Sequence, residues 1–522
     1  MPNFVMASRR SNTGIRTFAT AISAEESTTL SFRRAVDTLK ADHPRVELKF
    51  EASTRRQKAF IKSDLAEIEE IRRRMPSDLI IEPEIKFDKQ TQAPFDLLKA
   101  SPLDLVDIMN IEPLEEAGAG LGTTLTVHVQ GRRQSNEDLV GAEVHVFLAG
   151  PAGLRDRTIK RTDDQGRAEF SFASFYRVLT VITVPYSGFW PKIQRGSPGR
   201  SLKITCSALP KDGAGEWWHR SVGLNAGLKL GASNEYGAVK IGIVDSGCGP
   251  HPALAHVKDC GAYIQGRYED KPGSGLDSGS HGTHVCGTVG SRMLPFFGVA
   301  PAADLYSVRV FPPSGSANQL DIAAAIDDLV ENRKVHLINM SLGAAESSQI
   351  LEDAIANAAD NGIVCICAAG NEAGPIVFPA SSPATIAVSA IGKLGFVPLD
   401  GLAAIPSNPV LFGSSNLHAA DFTNHGDDMQ ACSPGVGIIA PVPQKYNYQE
   451  PFVAMNGTSM ASPIACARLA IALASDEAYH LLPSDRMRTR YAKAVFRAMC
   501  RSIGLPREYE GNGLIGGEES LV

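Results

Sequence analysis

The sequence predicts an α/β fold, a parallel sheet flanked by helices, preceded by a small α+β unit and an antiparallel β-sandwich. Three observations carry this expectation. Beyond about Glu216, nearly continuous apolar runs alternate with helical stretches. Between Thr123 and Leu209, apolar and polar residues alternate with period two. Between Ser31 and Phe87, a charged segment repeats its apolar residues at helical spacing. The chain divides at these changes of pattern into a flexible N-terminus (1–30), an α+β unit with a linker (31–117), the β-sandwich (118–210) and the α/β domain (211–522).

In the first unit, "AFIKSDLAEIEEIRRRM" places Phe60, Ile61, Leu65, Ile68 and Ile71 on one face of an amphipathic helix. "DLIIEPEIKF" then reads as a short strand. In the second, "TLTVHVQG", "AEVHVFLAG", "RAEFSF", "VLTVITVP" and "LKITCSA" are alternating strands separated by turn residues such as "TDDQG". In the third, "VKIGIVDSG", "DLYSVRVF", "VHLINMSLG" and "GIVCICAAGN" have the unbroken apolar character of parallel strands covered on both faces. "QLDIAAAIDDLVENR" and "SQILEDAIANAADNG" are the helices between them.

Composition narrows the function. A hydrophobic content of 43% and a charged content of 21% are ordinary for a globular chain of 522 residues. A net charge of -6 gives no reason to expect nucleic acid, and Arg9-Arg10, Arg33-Arg34 and Arg72 to Arg74 read as solvated faces. No run approaches the ~18 apolar residues of a membrane span. Nine cysteines, an odd number, do not suggest a disulfide framework. Together with a polar N-terminus unlike a secretion signal, they lead us to expect a cytoplasmic or otherwise intracellular protein. Three arginines and no acid before Glu25 keep an organellar presequence as an alternative.

Function in such α/β domains gathers in loops at the carboxyl ends of the strands. There the sequence places Asp245 after "KIGIV", His281 and His284 in "GSHGTHVCGTVG", Asn371 in "CAAGNEAG" and Ser459 in "NGTSMASP". Singly, these are a cap, half a metal site, a turn former and another cap. A zinc site needs a third ligand at workable spacing, and no compact motif supplies one. Together they have a chemistry. A serine hydroxyl needs a histidine to take its proton, the histidine needs a carboxylate to orient it, and the oxyanion needs donors.

The motifs "VDSG", "HGTHVCGTVG", "GVAPAADLYSVRVF", "INMSLG", "AAGNE" and "NGTSMASP" resemble, in order, those of the subtilases, the subtilisin-like serine proteases. The resemblance implies a subtilisin-like catalytic domain and a serine endopeptidase acting on protein or peptide substrates. In that chemistry Asp245 orients the imidazole, His281 is general base and then acid, and Ser459 is the nucleophile. Asn371 and the Ser459 N–H would donate to the oxyanion. It also implies that Ser314-Gly315-Ser316 and Ser341-Leu342-Gly343 flank an extended peptide, and that Ala368, Ala369 and Gly370 line the pocket for the residue before the scissile bond. Cys248 and Cys286 fall inside the Asp and His motifs, either as small buried residues or as thiols close to the triad.

No cofactor is expected. The short segment "SRMLPFF" replaces the longer loop that binds calcium in many relatives and offers few oxygen ligands, so no calcium is expected there, and a site elsewhere stays open. The unit ending in "IIEPEIKF" resembles a subtilase propeptide, which implies autoprocessing or inhibition by the chain's own N-terminal segment. The β-sandwich resembles carboxypeptidase-regulatory-like domains through "TDDQGRAEF". Two alternatives remain: an acyl transferase, in which an amine replaces water, and a scaffold with an inactive protease domain.

Overall fold

The computed structural model describes residues 3–9, 32–37, 41, 47–51, 58–63, 65–75, 79–91, 122–196, 198–210, 217–224, 239–402, 405–445, 448 and 451–516. The expected flexible stretch over 10–30 and most of the expected linker lie outside the described residues.

The N-terminal unit is a four-stranded antiparallel sheet in the order β2-β3-β1-β4, with helical residues at 32–37 and one longer helix against it. Its strands are β1 (Asn3–Ser8), β2 (Glu47–Glu51), β3 (Lys58–Lys62) and β4 (Leu79–Pro83), and α1 spans Leu65–Arg74. Two expectations are corrected. Residues 1–30 are not wholly a loose terminus, because Asn3–Ser8 lies between two partners with Val5, Met6 and Ala7 buried. The helix expected from Ala59 begins only at Leu65, so Phe60 and Ile61 stand on β3 and face opposite ways. Period two sorts these strands. Phe4, Met6 and Ile61 join Ile68 and Ile71 of α1 in the unit's own core. Val5, Ala7, Ile80 and Phe60 pack against the large domain.

"DLIIEPEIKF" is two strands. After β4, the chain turns at Glu84-Ile85 and β5 (Lys86–Lys89) leaves the sheet to pair with the large domain.

Residues 122–207 form two four-stranded sheets around one core. The strands are β6 (Gly122–Arg132), β7 (Asn136–Asp138), β8 (Glu143–Ala149), β9 (Arg155–Arg161), β10 (Arg167–Ala173), β11 (Arg177–Val184), β12 (Lys192–Arg195) and β13 (Ser201–Ser207). One sheet runs β10-β6-β13, with β7 also on β6, and the other runs β12-β11-β8-β9. Leu125, Val127 and Val129 of the first meet Val144, Val146 and Leu148 of the second. The pairing is antiparallel except that β13 runs parallel to β6. The unit is fixed to the large domain by apolar contact and polar locks. Phe147, Ile182 and Trp190 share a core with Trp217 and Trp218 of α2 (Trp217–Ser221), and the Gly188 N–H donates to Phe452 O at 2.8 Å.

The large domain holds an eleven-stranded mixed sheet. Its parallel centre is β17 (Asp304–Arg309), β14 (Lys240–Asp245), β19 (Leu337–Met340), β21 (Val364–Ala368), β22 (Ile386–Lys393) and β24 (Ala431–Pro434). β15 (Lys258–Ile264) and β16 (Arg267–Glu269) extend one edge; β23 (Leu417–Ala419), β27 (Cys500–Arg501) and β28 (Leu514–Ile515) lie toward the other. A separate hairpin pairs β25 (Ile438–Pro441) with β26 (Phe452–Met455), and the short strands β18 (Ala317–Asn318) and β20 (Leu342–Gly343) receive β5. Helices α3 (His281–Gly290) and α6 (Thr458–Ala474) cover one face, and α4 (Gln319–Asp328) and α5 (Gln349–Asp360) the other. Ile241 and Ile243 of β14 join the first core and Val244 the second, which is why these strands read as unbroken apolar runs.

The N-terminal unit docks on the α4/α5 face through the helix starts. Glu82 accepts from the Gln349 N–H at 2.8 Å and from the Ser348 hydroxyl, satisfying donors at the N-terminus of α5, where negative charge is favoured. Gln319, the first residue of α4, accepts from the Ile85 N–H at 2.9 Å and donates to Pro83 O at 2.6 Å.

Among the described residues no helix is long and apolar enough to cross a membrane.

Candidate active site

Asp245 ends β14, His281 opens α3, Asn371 follows β21, and Ser459 is the second residue of α6. The fold brings these loops together at the carboxyl edge of the sheet. Asp245 Oδ1 accepts the Ser246 N–H at 2.6 Å and lies 2.7 Å from His281 Nδ1, both side chains being buried. Gly282 permits this closeness: a Cβ there would fall 2.1 Å from Gly247 O and 3.1 Å from Asp245 Oδ1. The buried His281 Nε2 has no hydrogen-bond partner, so the ring is held at one nitrogen and open at the other. His284, three residues on, turns away. Its Nε2 lies 3.0 Å from Ile438 O and 3.2 Å from Val453 O, and burial pushes its pKa down to about 3, so it is a neutral donor to the β25/β26 hairpin.

Ser459 is fixed at both ends of its residue. Its Oγ donates to Ser341 O at 3.1 Å, and its carbonyl accepts the Ser341 hydroxyl at 2.9 Å. That carbonyl needs the hydroxyl because Pro463, four residues on inside α6, has no N–H to give it. Asn371 Oδ1 accepts from the Thr458 N–H at 2.9 Å and its hydroxyl at 3.1 Å, while Nδ2 is buried and unpartnered. Asn424 braces this turn: its Oδ1 accepts the N–H groups of Glu372 and Gly374 at 2.8 and 3.0 Å.

The groove beside Ser459 is filled by the chain itself. β5 lies antiparallel between β18 and β20, with Ala317 opposite Phe87 and Gly343 opposite Asp88. Gln90 donates its N–H to Ser341 O at 3.2 Å, and its carbonyl accepts the Ser459 N–H at 2.9 Å. Phe87 is fully buried beside Phe378, with ring centroids 6.2 Å apart. Leu342 and Gly343 thus form one groove edge, and Ser341 supplies the carbonyl. The other edge falls beyond the segment expected for it: Ala317 and Asn318 pair with β5, and Ser314 and Gly315 are exposed outside the strand. Ser316 reaches the peptide only through its hydroxyl, 2.5 Å from Asp88 Oδ1. Ala368, Ala369 and Gly370 are buried at the end of β21, with the Gly370 N–H on the Thr458 hydroxyl at 3.1 Å. Cys248 is half-buried and Cys286 fully buried, and the neighbouring Cys248 together with burial pushes the Cys286 thiol pKa up. Among the described residues no group of three or more His, Cys, Asp or Glu side chains could hold a metal.

Sequence reasoning missed Gln90 and Asn424. Nothing local marks them, since each matters through a partner far along the chain.

A carboxylate-bound imidazole, a serine at a helix start and a free side-chain amide over a parallel sheet fit the class of serine hydrolases. Residues 237–499 match the model of the subtilase family, and the chain belongs to that family of serine endopeptidases. It is 30% identical to subtilisin Savinase of Lederbergia lenta over 228 residues, 43% of this chain and 72% of that one. It is 30% identical to subtilisin DY of Bacillus licheniformis over 298 residues, 56% of this chain and 93% of that one. With subtilisin E of Bacillus subtilis the identity is 33% over 243 residues, 45% of this chain, and the chain spans 55% of that relative.

Proposed function

We propose that this chain hydrolyses peptide bonds through Ser459, His281 and Asp245, and that its first substrate is its own Gln90–Thr91 bond. The Gln90 carbonyl on the Ser459 N–H carries the reading, because that is where a carbonyl under attack would have to sit. Ser459 Oγ attacks the Gln90 carbonyl carbon as His281 Nε2 takes the hydroxyl proton. Asp245 holds Nδ1 and steadies the imidazolium. The oxyanion forms on the Ser459 N–H, with Asn371 Nδ2 as second donor. His281 then protonates the departing Thr91 amine, and water hydrolyses the acyl-enzyme.

The unit from β1 to β5 acts as a prosegment that stays in the groove as an inhibitor after the cut, held by Glu82 and Gln319 at the helix starts. Residues 122–207 act as a β-sandwich of the carboxypeptidase-regulatory-like kind. Protein or peptide substrates follow the same extended path, with Phe87 standing where a bulky apolar residue would bind. The chemistry calls for no cofactor. Nine free thiols support a reducing, intracellular location.

Intact mass of wild type and Ser459→Ala after parallel incubation tests this. We expect a new N-terminus at Thr91 in the wild type alone. Equal shortening of both proteins, or a wild-type cut at another bond, would sink the reading.

A further inference from the structure

We propose that the two-sheet unit is part of the substrate site: it forms the wall that binds residues on the leaving side of the scissile bond. The inference rests on the reading that Gln90 occupies the acyl position. With the Gln90 carbonyl on the Ser459 N–H, Thr91 is the first leaving-side residue. Thr91 lines a cavity of about 450 Å³ at the junction of the two-sheet unit and the large domain. On the large domain, its walls include Ser280, the neighbour of His281, and Met455 and Asn456 just ahead of Ser459. On the two-sheet unit they include Glu143, Arg161 and Tyr186. Thr91 Oγ1 is buried there without a hydrogen-bond partner, so the leaving side already enters this cavity.

This wall is rigid. Tyr186 donates its hydroxyl to Pro443 O, tying the two-sheet unit to the large domain beside the cavity. Its ring stacks on Tyr448 with centroids 5.9 Å apart. Glu143 is held between Arg161, 2.7 Å from its Oε2, and His145, 2.9 Å from its Oε1. Arg161 is matched to this carboxylate, and Lys445 adds a further cation to the cavity margin. Val184, Pro185 and Phe189 make the adjoining wall apolar. The chemistry therefore suits a leaving side that carries an apolar side chain followed by an acid. The chain's own continuation, Thr-Gln-Ala-Pro-Phe-Asp from Thr91 to Asp96, has that order.

The test compares two substrates on the self-processed enzyme after the cut N-terminal unit has been removed. One is an internally quenched peptide with the sequence of residues 84–97, and a second version replaces its Asp96 by Lys. The other is an acylated peptide of residues 84–90 bearing an aminocoumarin, which has no leaving-side residues. We expect Arg161→Glu and Arg161→Glu/Lys445→Glu to lower kcat/KM for the Asp96 peptide at least fivefold and to raise it for the Lys version. Hydrolysis of the coumarin substrate should stay within about twofold, which also reports an intact fold. A parallel loss on all substrates, or no change on any, overturns the assignment. A wild-type enzyme that cuts the coumarin substrate and treats both long peptides alike also overturns it, while leaving the proteolytic reading intact. A wild type that cuts none of them removes both.

Discussion

Asn371 shows how one side chain divides its labour. Its oxygen is spent on Thr458, which fixes the amide plane and leaves Nδ2 buried with nothing to bind in the ground state. Removing such a donor costs transition-state binding and little substrate affinity. Asn371→Ala should therefore lower kcat by about 10²–10³, the magnitude known for the equivalent loss in subtilisin, with KM nearly unchanged. Steady-state kinetics on a peptide substrate decide this, and a loss confined to KM would contradict it. At this scale the sequence was informative. Asp245, His281, Asn371 and Ser459 each stand at or within three residues of the end or start of an element whose pattern is strong, so local reading put them at strand ends and helix starts. Gln90 lies in "KFDKQ", which has no apolar alternation, and its conformation is imposed by β18 and β20 more than two hundred residues away.

At the scale of elements, helix starts and turns do the positioning. Glu82 adds a carboxylate at the start of α5, and its loss removes the acceptor of the Gln349 N–H. Glu82→Ala should weaken retention of the N-terminal unit by ~1–3 kcal/mol, or roughly 5- to 150-fold in inhibition. The lag before full activity in freshly purified protein would then shorten, and an unchanged lag would argue that the groove strand alone sets retention. The turn at Asp421 to Asn424 carries a pH signature. Asp421 Oδ1 has no hydrogen-bond partner, and burial raises its pKa from the usual 3.8 to about 7. Between about pH 4 and pH 7 the folded state thus keeps a proton that the unfolded chain has lost. Stability from this group is complete below about pH 4 and declines as pH rises to 7. Asp421→Asn should flatten that decline. Urea midpoints of both proteins across the range test it, and parallel curves would remove Asp421 as the cause. Elements were partly legible. The long strands and helices of the large domain matched their patterns, whereas β1 did not stand out, because its burial comes from β3 and β4, more than fifty residues further along.

The whole molecule is a sheet with helices on both faces, gripped on one side by the N-terminal unit and on another by the two-sheet unit. The order of patterns along the chain made three units legible, but not how they meet. Docking depends on surfaces such as Trp190 against Phe396, with ring centroids 5.4 Å apart, whose complementarity no periodicity encodes. One feature of the assembly bears on timing. Because β5 is already seated beside Ser459 in its own chain, the proposed cleavage at Gln90–Thr91 would need no encounter between molecules. The local concentration of that bond is fixed by the fold and not by the amount of protein present. Maturation should accordingly follow first-order kinetics, with one half-time across a hundredfold dilution. A half-time that lengthens on dilution would mean that neighbours cut one another. If the half-time holds, every newly made chain carries its own clock.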